Sequence, residues 1–386
     1  MYRLTDEQLA FQKEVRTFVD QEVQPAAAEL ESSSTFPYRI VTRCGELGFL
    51  DILFTSGDPR RKKKATEGVI FLEEISRGLG SLGLIFSPQF QGCDLIASAA
   101  AEPLKSDILA AALSGTKILS YATSEHSGGT NALDINTTAI RDQDTWLLNG
   151  EKCWVTNAGV SDGYLIAAKT AANSQRRSIS FFYVDQSDPG LQVNEPTKML
   201  GLSSSTMGSI RLQNCRIPAD RLIGAENEGY QLMKATFNQG RLVIGAIAVG
   251  VAQRALELAL DYSSKREHFG RRLCSYQGIS FPVASMQTSI VTARNMAYHV
   301  ASLCEDGLPY AAEASMLKMF ACDMCCKVCA QAMEIHGAYG LSKASEIERC
   351  LRDAHMLTVA GGTAQACSLI ISAALYHAPP VKEDMG

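Results

Sequence analysis

TTAIRDQDTWLLNGEKCWVTNAG, residues 137 to 159, is the stretch whose reading decides the fold. It alternates apolar with polar residues and is rich in β-branched and aromatic ones, the pattern of half-buried strands. Asn149-Gly150 sits between two alternating runs, which predicts a hairpin turn there. Towards the C-terminus, YLIAAKT (164–170), SISFFYVDQ (178–186), LQVNEPTKMLG (191–201) and SIRLQNCRIP (209–218) are equally short and equally punctuated by turn residues. Residues 117 to 226 are therefore expected to form a middle β domain, a small barrel or sandwich.

Helical periodicity flanks this block on both sides. Thr5 precedes the amphipathic run TDEQLAFQKEVRTFVDQEVQPAAAEL, with acids in its first turn, which predicts a capped helix. A second helix is predicted from Tyr38 to Leu47, and two more from TEGVIFLEEISRGLG onward. Residues 1 to 116 thus read as an N-terminal α-helical domain. From Gly229 the period is helical again. LVIGAIAVGVAQRALELALDYSSKR has almost no polar face in its first half, as expected of a helix buried in a bundle. Residues 227 to 386 read as a C-terminal helical bundle, so the fold class is α with a central β domain.

At 386 residues the chain exceeds what one core usually organises. A net charge of -5 argues against a nucleic-acid binder. No run of about 18 uncharged apolar residues suggests a membrane span, and MYRLTDEQ offers no signal-peptide core. A cytoplasmic protein is expected. The 12 cysteines then read as reduced thiols. Cys322, Cys325, Cys326 and Cys329 share one stripe of a single helix, where small thiols pack helices closely, so no metal site is expected. The run Arg60, Arg61, Lys62, Lys63, Lys64 reads as a solvated loop, with a docking patch for coenzyme A phosphates or an acidic carrier protein as the functional alternative.

Four motifs, in order, resemble the acyl-CoA dehydrogenase superfamily over almost the whole chain. Tyr121-Ala122-Thr123-Ser124-Glu125-His126-Ser127-Gly128-Gly129-Thr130-Asn131 is similar to its Y-x-x-T-E-P-G-A-G-S-D loop. A flavin presents carbonyls and ring nitrogens that want hydroxyl and backbone donors. The resemblance implies that Tyr121, Thr123, Ser124, Gly129 and Thr130 contact FAD. Asn149 to Gly159 resembles N-G-x-K-x-W-I-T-N-x-G, implying Trp154 beside the flavin ring and Thr156 near its reactive nitrogen. Arg266, Phe269 and Gln277 resemble R-x-x-F-G…Q, whose arginine reaches the FAD of a neighbouring subunit. Arg349, Arg352-Asp353-Ala354 and Gly361-Gly362-Thr363-Ala364-Gln365 resemble E-R-x-x-R-D-A…E-G-T-x-Q, implying that Thr363 and Gln365 touch the cofactor. Glu334 and Gly337 stand where the family has Q-x-x-G-G-x-G, with Glu334 and His336 departing from that pattern.

The resemblance implies a homotetramer or homodimer with one FAD per subunit, acting on an acyl-CoA or an acyl-carrier-protein thioester. It also exposes a gap. The family removes the substrate α-proton with a carboxylate placed directly before the G-T of the fourth motif, or on the helix before the arginine of F-x-x-x-R. Here these positions are Gly361 and, in Phe237-Asn238-Gln239-Gly240-Arg241, Gly240. Glycine moves no proton, and general-base help is worth roughly 10²–10⁴-fold. Three explanations stay open. His126, or Glu125 beside it, could serve as base, with Arg241 nearby. The reaction could need no base, as in the desulfinase branch, although the arginine that holds the sulfinate there aligns with Leu84. The chain could bind FAD and thioester without turnover.

Overall fold

Thr5 and Gln8 close a capping box at the first helix: Gln8 N donates to Thr5 Oγ1 at 3.2 Å and Thr5 N to Gln8 Oε1 at 3.1 Å. The computed structural model describes residues 2–51, 64–170 and 178–376. In chain order its helices are α1 (Asp6–Phe18), α2 (Gln24–Ser33), α3 (Tyr38–Glu46), α4 (Ala65–Gly78), α5 (Gly80–Ala99), α6 (Leu104–Leu113), α7 (Gly229–Lys265), α8 (Gln277–Glu305), α9 (Ala311–His336), α10 (Glu346–Leu357) and α11 (Ala364–Tyr376). The strands are β1 (Leu119–Ala122), β2 (Thr138–Asp142), β3 (Thr145–Thr156), β4 (Gly163–Lys169), β5 (Ile179–Asp185), β6 (Leu191–Val193), β7 (Met207–Pro218), β8 (Leu222–Ile223), β9 (Glu267–His268) and β10 (Arg271–Arg272). Helices, then a sheet, then helices follow one another as the sequence predicts. Arg60 to Lys63 of the basic run lie outside the described residues.

The chain divides into two compact units. The first comprises Met1–Pro25, Ala65–Gly80 and Asn238–Gly386; the second comprises Ala26–Lys64 and Ser81–Phe237. In the first unit α9 packs against α8, α10 and α11, and α4 against α1 and α8. Burial of α4 is so complete that its charges need partners. Glu74 accepts from Arg16 Nη2 at 2.8 Å and from Arg77 Nε at 2.9 Å. Arg77 also reaches Glu257 at 3.2 Å, and Arg294 Nε donates to Glu73 at 2.8 Å. The apolar half of α7 is a core helix. It is long and apolar enough to cross a membrane, yet 78% of its most apolar window is buried in protein. Of the α9 thiols, Cys322, Cys325 and Cys329 are buried, and no metal-binding cluster occurs among the described residues.

The second unit is built on a sheet with strand order β6-β7-β3-β2-β4-β5-β8, to which β1 adds by pairing with β4 in parallel. Trp146, Leu148, Val155, Tyr164, Ile166, Phe182, Ile210 and Ile217 form its core, with Trp146 edge-on to Phe182 at 5.1 Å. The hairpin predicted at Asn149-Gly150 is corrected: β3 runs straight through it. The chain reverses instead at Gln143-Asp144, where Gln143 has φ 54°. The twelve-residue β7 offers a partner along the length of β3, so a continued ladder satisfies more backbone groups than a turn would. Asn149-Gly150 is an irregularity in that ladder, between Leu148 and Gly150, and Asn149 Oδ1 accepts from Asn214 N at 2.8 Å. Gly150 is needed because a Cβ there would lie 2.6 Å from Thr137 Cα.

Close approach also governs α7. A Cβ on Gly250 would lie 2.2 Å from Glu73 O and 2.9 Å from Ser76 Cβ, so α4 and α7 meet backbone to backbone. Gly250→Ala is expected to lower stability by about 1–3 kcal/mol through this overpacking. Urea unfolding checks it; an unchanged midpoint would show that the two helices are not in contact here.

Candidate functional site

A buried ion pair anchors the loop that follows β1. Lys152 is fully buried on β3, and its Nζ donates to Glu125 Oε1 at 2.7 Å and to Thr123 O at 3.3 Å. Glu125 also accepts from Thr137 Oγ1 at 2.6 Å, Thr137 N at 3.0 Å and Asn136 N at 2.5 Å. Burial would raise this carboxyl, but Lys152, Thr137 and Asn136 together hold it below the usual carboxylate range. Burial pushes the Lys152 ammonium down to about 8 although Glu125 works against the shift. With its oxygens so engaged, Glu125 serves as an anchor. His126 next to it has an exposed ring, edge-on to Trp154 at 6.4 Å and 3.9 Å from Glu151 Oε1.

One bulge aims the indole. The β3–β7 register shifts between Lys152 and Val155, Trp154 takes φ 55°, and its side chain emerges 56% exposed. Cys153 N donates to Ser124 O at 2.9 Å, which ties the bulge to the loop. Ser120 Oγ donates to Thr156 O at 2.7 Å, which ties β1 to the end of β3. Asn157, with φ 67°, donates through Nδ2 to Ile85 O at 3.0 Å and Leu119 O at 3.3 Å, and through its amide to Thr206 O at 2.8 Å. In the second unit Ser124 thus lies at the bulge that carries Trp154, Thr123 at Lys152, and Thr156 at Ser120, the residue before Tyr121. Gly129 and Thr130 lie further along the same loop and are exposed; a Cβ on Gly129 would meet nothing within 4 Å.

Several polar atoms here lack partners. The Tyr121 hydroxyl is buried without one, its ring 5.5 Å from Phe181 and 6.4 Å from Phe237. Ser204 Oγ, Ser205 Oγ and Thr206 Oγ1 are likewise buried and unpartnered. Unmade hydrogen bonds of this kind are costly. Together with the exposed indole of Trp154 they suit a flat, heteroatom-rich ring system, so the donor set fits FAD.

In the first unit the two glycines meet. Gly240 is buried in α7, Gly361 is exposed ahead of α11, and a Cβ on Gly361 would lie 3.7 Å from Gly240 O and 3.2 Å from Ile244 Cγ1. Gly361 and Gly362 have φ 67° and 105°. Lys318 of α9, 1% exposed, holds their loop by donating to Thr358 O at 2.6 Å and to Gly362 O. Arg241, 7% exposed, donates through Nη1 to Asn238 Oδ1 at 2.8 Å and contacts the Cys367 thiol, while its Nε has no partner. Thr363 Oγ1 accepts from Ala366 N at 3.3 Å at the start of α11, and Gln365 is exposed in its first turn.

The remaining predicted contacts lie on exposed turns of the same unit. Arg266 leads into the β9–β10 hairpin, whose two-residue turn Phe269-Gly270 has φ 47° and 72° and leaves Phe269 86% exposed. Gln277 opens α8. Glu334 is exposed near the end of α9, and Gly337 (φ 60°) ends the helix by donating its N–H to Glu334 O. His336 is buried, stacked on Tyr262 at 4.4 Å. Two concavities of this unit, of about 910 and 550 Å³, are lined by none of these residues.

Sequence reading missed Lys318, Ser205, Thr206 and Asn157. A lysine inside the apolar run SMLKMFAC was a usable signal for the first; nothing in the sequence marks the orphaned hydroxyls.

Sequence profiles described as acyl-CoA dehydrogenase N-terminal, middle and C-terminal domain match residues 5–116, 120–215 and 227–376. The chain is 35% identical to an acyl-CoA dehydrogenase of Bacillus subtilis (strain 168), over 96% of this chain and 98% of that one. Its fold is similar to that of butyryl-CoA dehydrogenase from Megasphaera elsdenii, with a TM-score of 0.93 and 28% identity over 97% of this chain and 100% of the other. It is also similar to the prolyl acyl carrier protein oxidase AnaB, with a TM-score of 0.91 and 25% identity over 97% and 100% of the two chains.

The anchor has a pH signature. Because the Glu125 carboxyl is held low when folded, its contribution is present above the ordinary carboxylate pKa and is lost as pH falls through the lowered value. Glu125→Gln leaves Lys152 buried without a counter-charge and should cost about 3 kcal/mol or more at pH 7. The gap between wild type and variant should narrow as pH falls below about 4.5. A gap that stays constant down to pH 3 in urea titrations would rule out this anchor.

Proposed function

We propose, from the premise that this chain belongs to the acyl-CoA dehydrogenase family, that the ends of β1 and β3 hold the flavin ring and that the Gly240–Gly361 contact lies at the reacting carbons of the substrate. The family is FAD-dependent, and the chain is an FAD-dependent oxidoreductase acting on acyl thioesters. The observation that supports the placement is the bulge at Lys152–Val155, which sets an exposed Trp154 beside the loop of Thr123 and Ser124. Bound FAD would supply a hydride acceptor. Tyr121, Thr123, Ser124, Gly129, Thr130, Trp154 and Thr156 would hold it.

Arg266 and Gln365 would meet FAD at a subunit contact in a homotetramer or homodimer, and Phe269, Gln277, Glu334, Gly337 and Thr363 would be further cofactor contacts. A phenylalanine 86% exposed on a two-residue turn supports that reading, because such a side chain gains most from being covered. Acyl-CoA and acyl-carrier-protein thioesters both fit this proposal, as does a cytoplasmic location. Neither Gly240 nor Gly361 can take a proton, so ordinary saturated acyl thioesters are expected to be slow substrates.

Three outcomes test the proposal. The purified protein should be yellow and release FAD; protein that stays colourless after reconstitution would contradict the placement of the ring. Arg266→Ala should lose FAD and weaken assembly together, and a variant monomeric by light scattering yet fully loaded would speak against a shared site. Gly240→Glu should speed flavin bleaching at 450 nm by butyryl-CoA by about 10²-fold or more, the scale of general-base help. Gly361→Glu should gain less, because φ 67° costs a side chain about 1 kcal/mol or more there. Equal failure of both variants with FAD retained would remove these glycines from the reacting carbons.

A further inference from the structure

Positive charge gathers at the two glycines with no carboxylate to meet it. Arg241 is 7% exposed and has a buried Nε without a partner. The Cys367 thiol and the Asn238 amide oxygen, neither of them charged partners, offset the cost of burying its charge, and it forms no ion pair among the described residues. Its contact with Cys367 places the guanidinium at the first turn of α11. That turn carries no acidic residue. The first intrahelical bond of α11 runs from Cys367 N to Thr363 O, so the amides of Ala364 and Gln365 precede the ladder, at the positive end of the helix dipole. Lys318 adds a third positive source through its grip on Gly362 O. A helix N-terminus, an arginine and a lysine with no acid among them constitute an anion site.

We propose that this site binds a carboxylate carried by the acyl group itself, so that the substrate is an α-carboxyacyl thioester. The inference rests on the functional reading above and narrows it to a substrate class. The Gly361 and Gly240 positions are where a base would reach Cα, so an anion held by Arg241 beside them would be one attached to Cα. The buried, unpartnered Nε matches one carboxylate oxygen. Such a substrate dispenses with the base. Heterolysis of the bond from Cα to the carboxylate releases CO2 and leaves the electron pair on Cα. That pair becomes the Cα=Cβ bond as hydride leaves Cβ for the acceptor that bound FAD supplies. The products are CO2, the α,β-unsaturated thioester and reduced flavin, and no proton has to be removed from carbon.

The test compares ethylmalonyl-CoA with butyryl-CoA on the FAD-loaded protein, reading equilibrium binding, flavin bleaching and released CO2. Ethylmalonyl-CoA should bind about 10-fold or more tighter, the value of one charge-assisted hydrogen bond. It should bleach the flavin with one CO2 per flavin reduced, giving crotonyl-CoA. Arg241→Gln should bring the two affinities close together, and Arg241→Lys should restore part of the preference. FAD content reports whether the variants fold, and the wild-type comparison needs no variant. Equal affinities in the wild type, equally fast bleaching by butyryl-CoA, or bleaching by ethylmalonyl-CoA without CO2 would each overturn the proposal. Those results leave the family reading standing, whereas a protein that takes up no FAD and binds no thioester would overturn both.

Discussion

Glu74 has no exposed side-chain surface, yet it is ionisable, and Arg16 and Arg77 supply its counter-charge at 2.8 and 2.9 Å. A carboxylate taken from water alone would cost many kcal/mol, so a helix as deeply buried as α4 can carry Glu73, Glu74 and Arg77 only where partners meet them. The same constraint sets the second unit. Lys152 and Glu125 are buried together, and their pairing fixes the loop after β1 against β3. The bulge that exposes the indole is tied to that fixed loop through Cys153 N and Ser124 O. Buried charge must be matched, and the molecule is arranged around the matches.

Arg241 and Lys318 stand out against this rule. Lys318 is satisfied by backbone carbonyls and so holds the turn of Gly361 and Gly362 in shape. Arg241 has an amide oxygen and a thiol, which carry no full negative charge. Retaining a buried cation while both neighbouring positions are glycine makes sense when the missing charge arrives with a ligand. The positive φ of Gly361 adds a second point: the turn is shaped for a residue without a side chain, rather than being an ordinary site from which a carboxylate was lost.

Much of the architecture was legible because local signals agreed with the global pattern. Thr5 and the acids of the first turn announce the first helix, the missing polar face of α7 announces its burial, and the alternation from 137 to 218 announces the sheet. Asn149-Gly150 misled because a turn signal is a local preference, and an available partner strand outweighed it. The motif matches singled out Tyr121, Thr123, Ser124, Trp154 and Thr156, but the reason Trp154 projects lies in a bulge that no composition reveals. The approach of Gly240 to Gly361 is likewise invisible in the sequence, since 121 positions separate them and only tertiary packing brings Gly240 O to 3.7 Å from where a Cβ on Gly361 would lie. The orphaned hydroxyls of Ser204, Ser205 and Thr206 show only as missing bonds, and a missing bond has no sequence pattern.

The thiols of α9 and α10 have a consequence of another kind. The Cys325 thiol and burial hold Cys329 well above the ordinary thiol value, and burial does the same to Cys350. Neither presents a thiolate while the helices are closed. An alkylating reagent therefore modifies them only during excursions that part α9 from α10, while exposed Cys274 reacts at once. The chain carries its own chronometer of bundle breathing, with a fast hand outside and slow hands within.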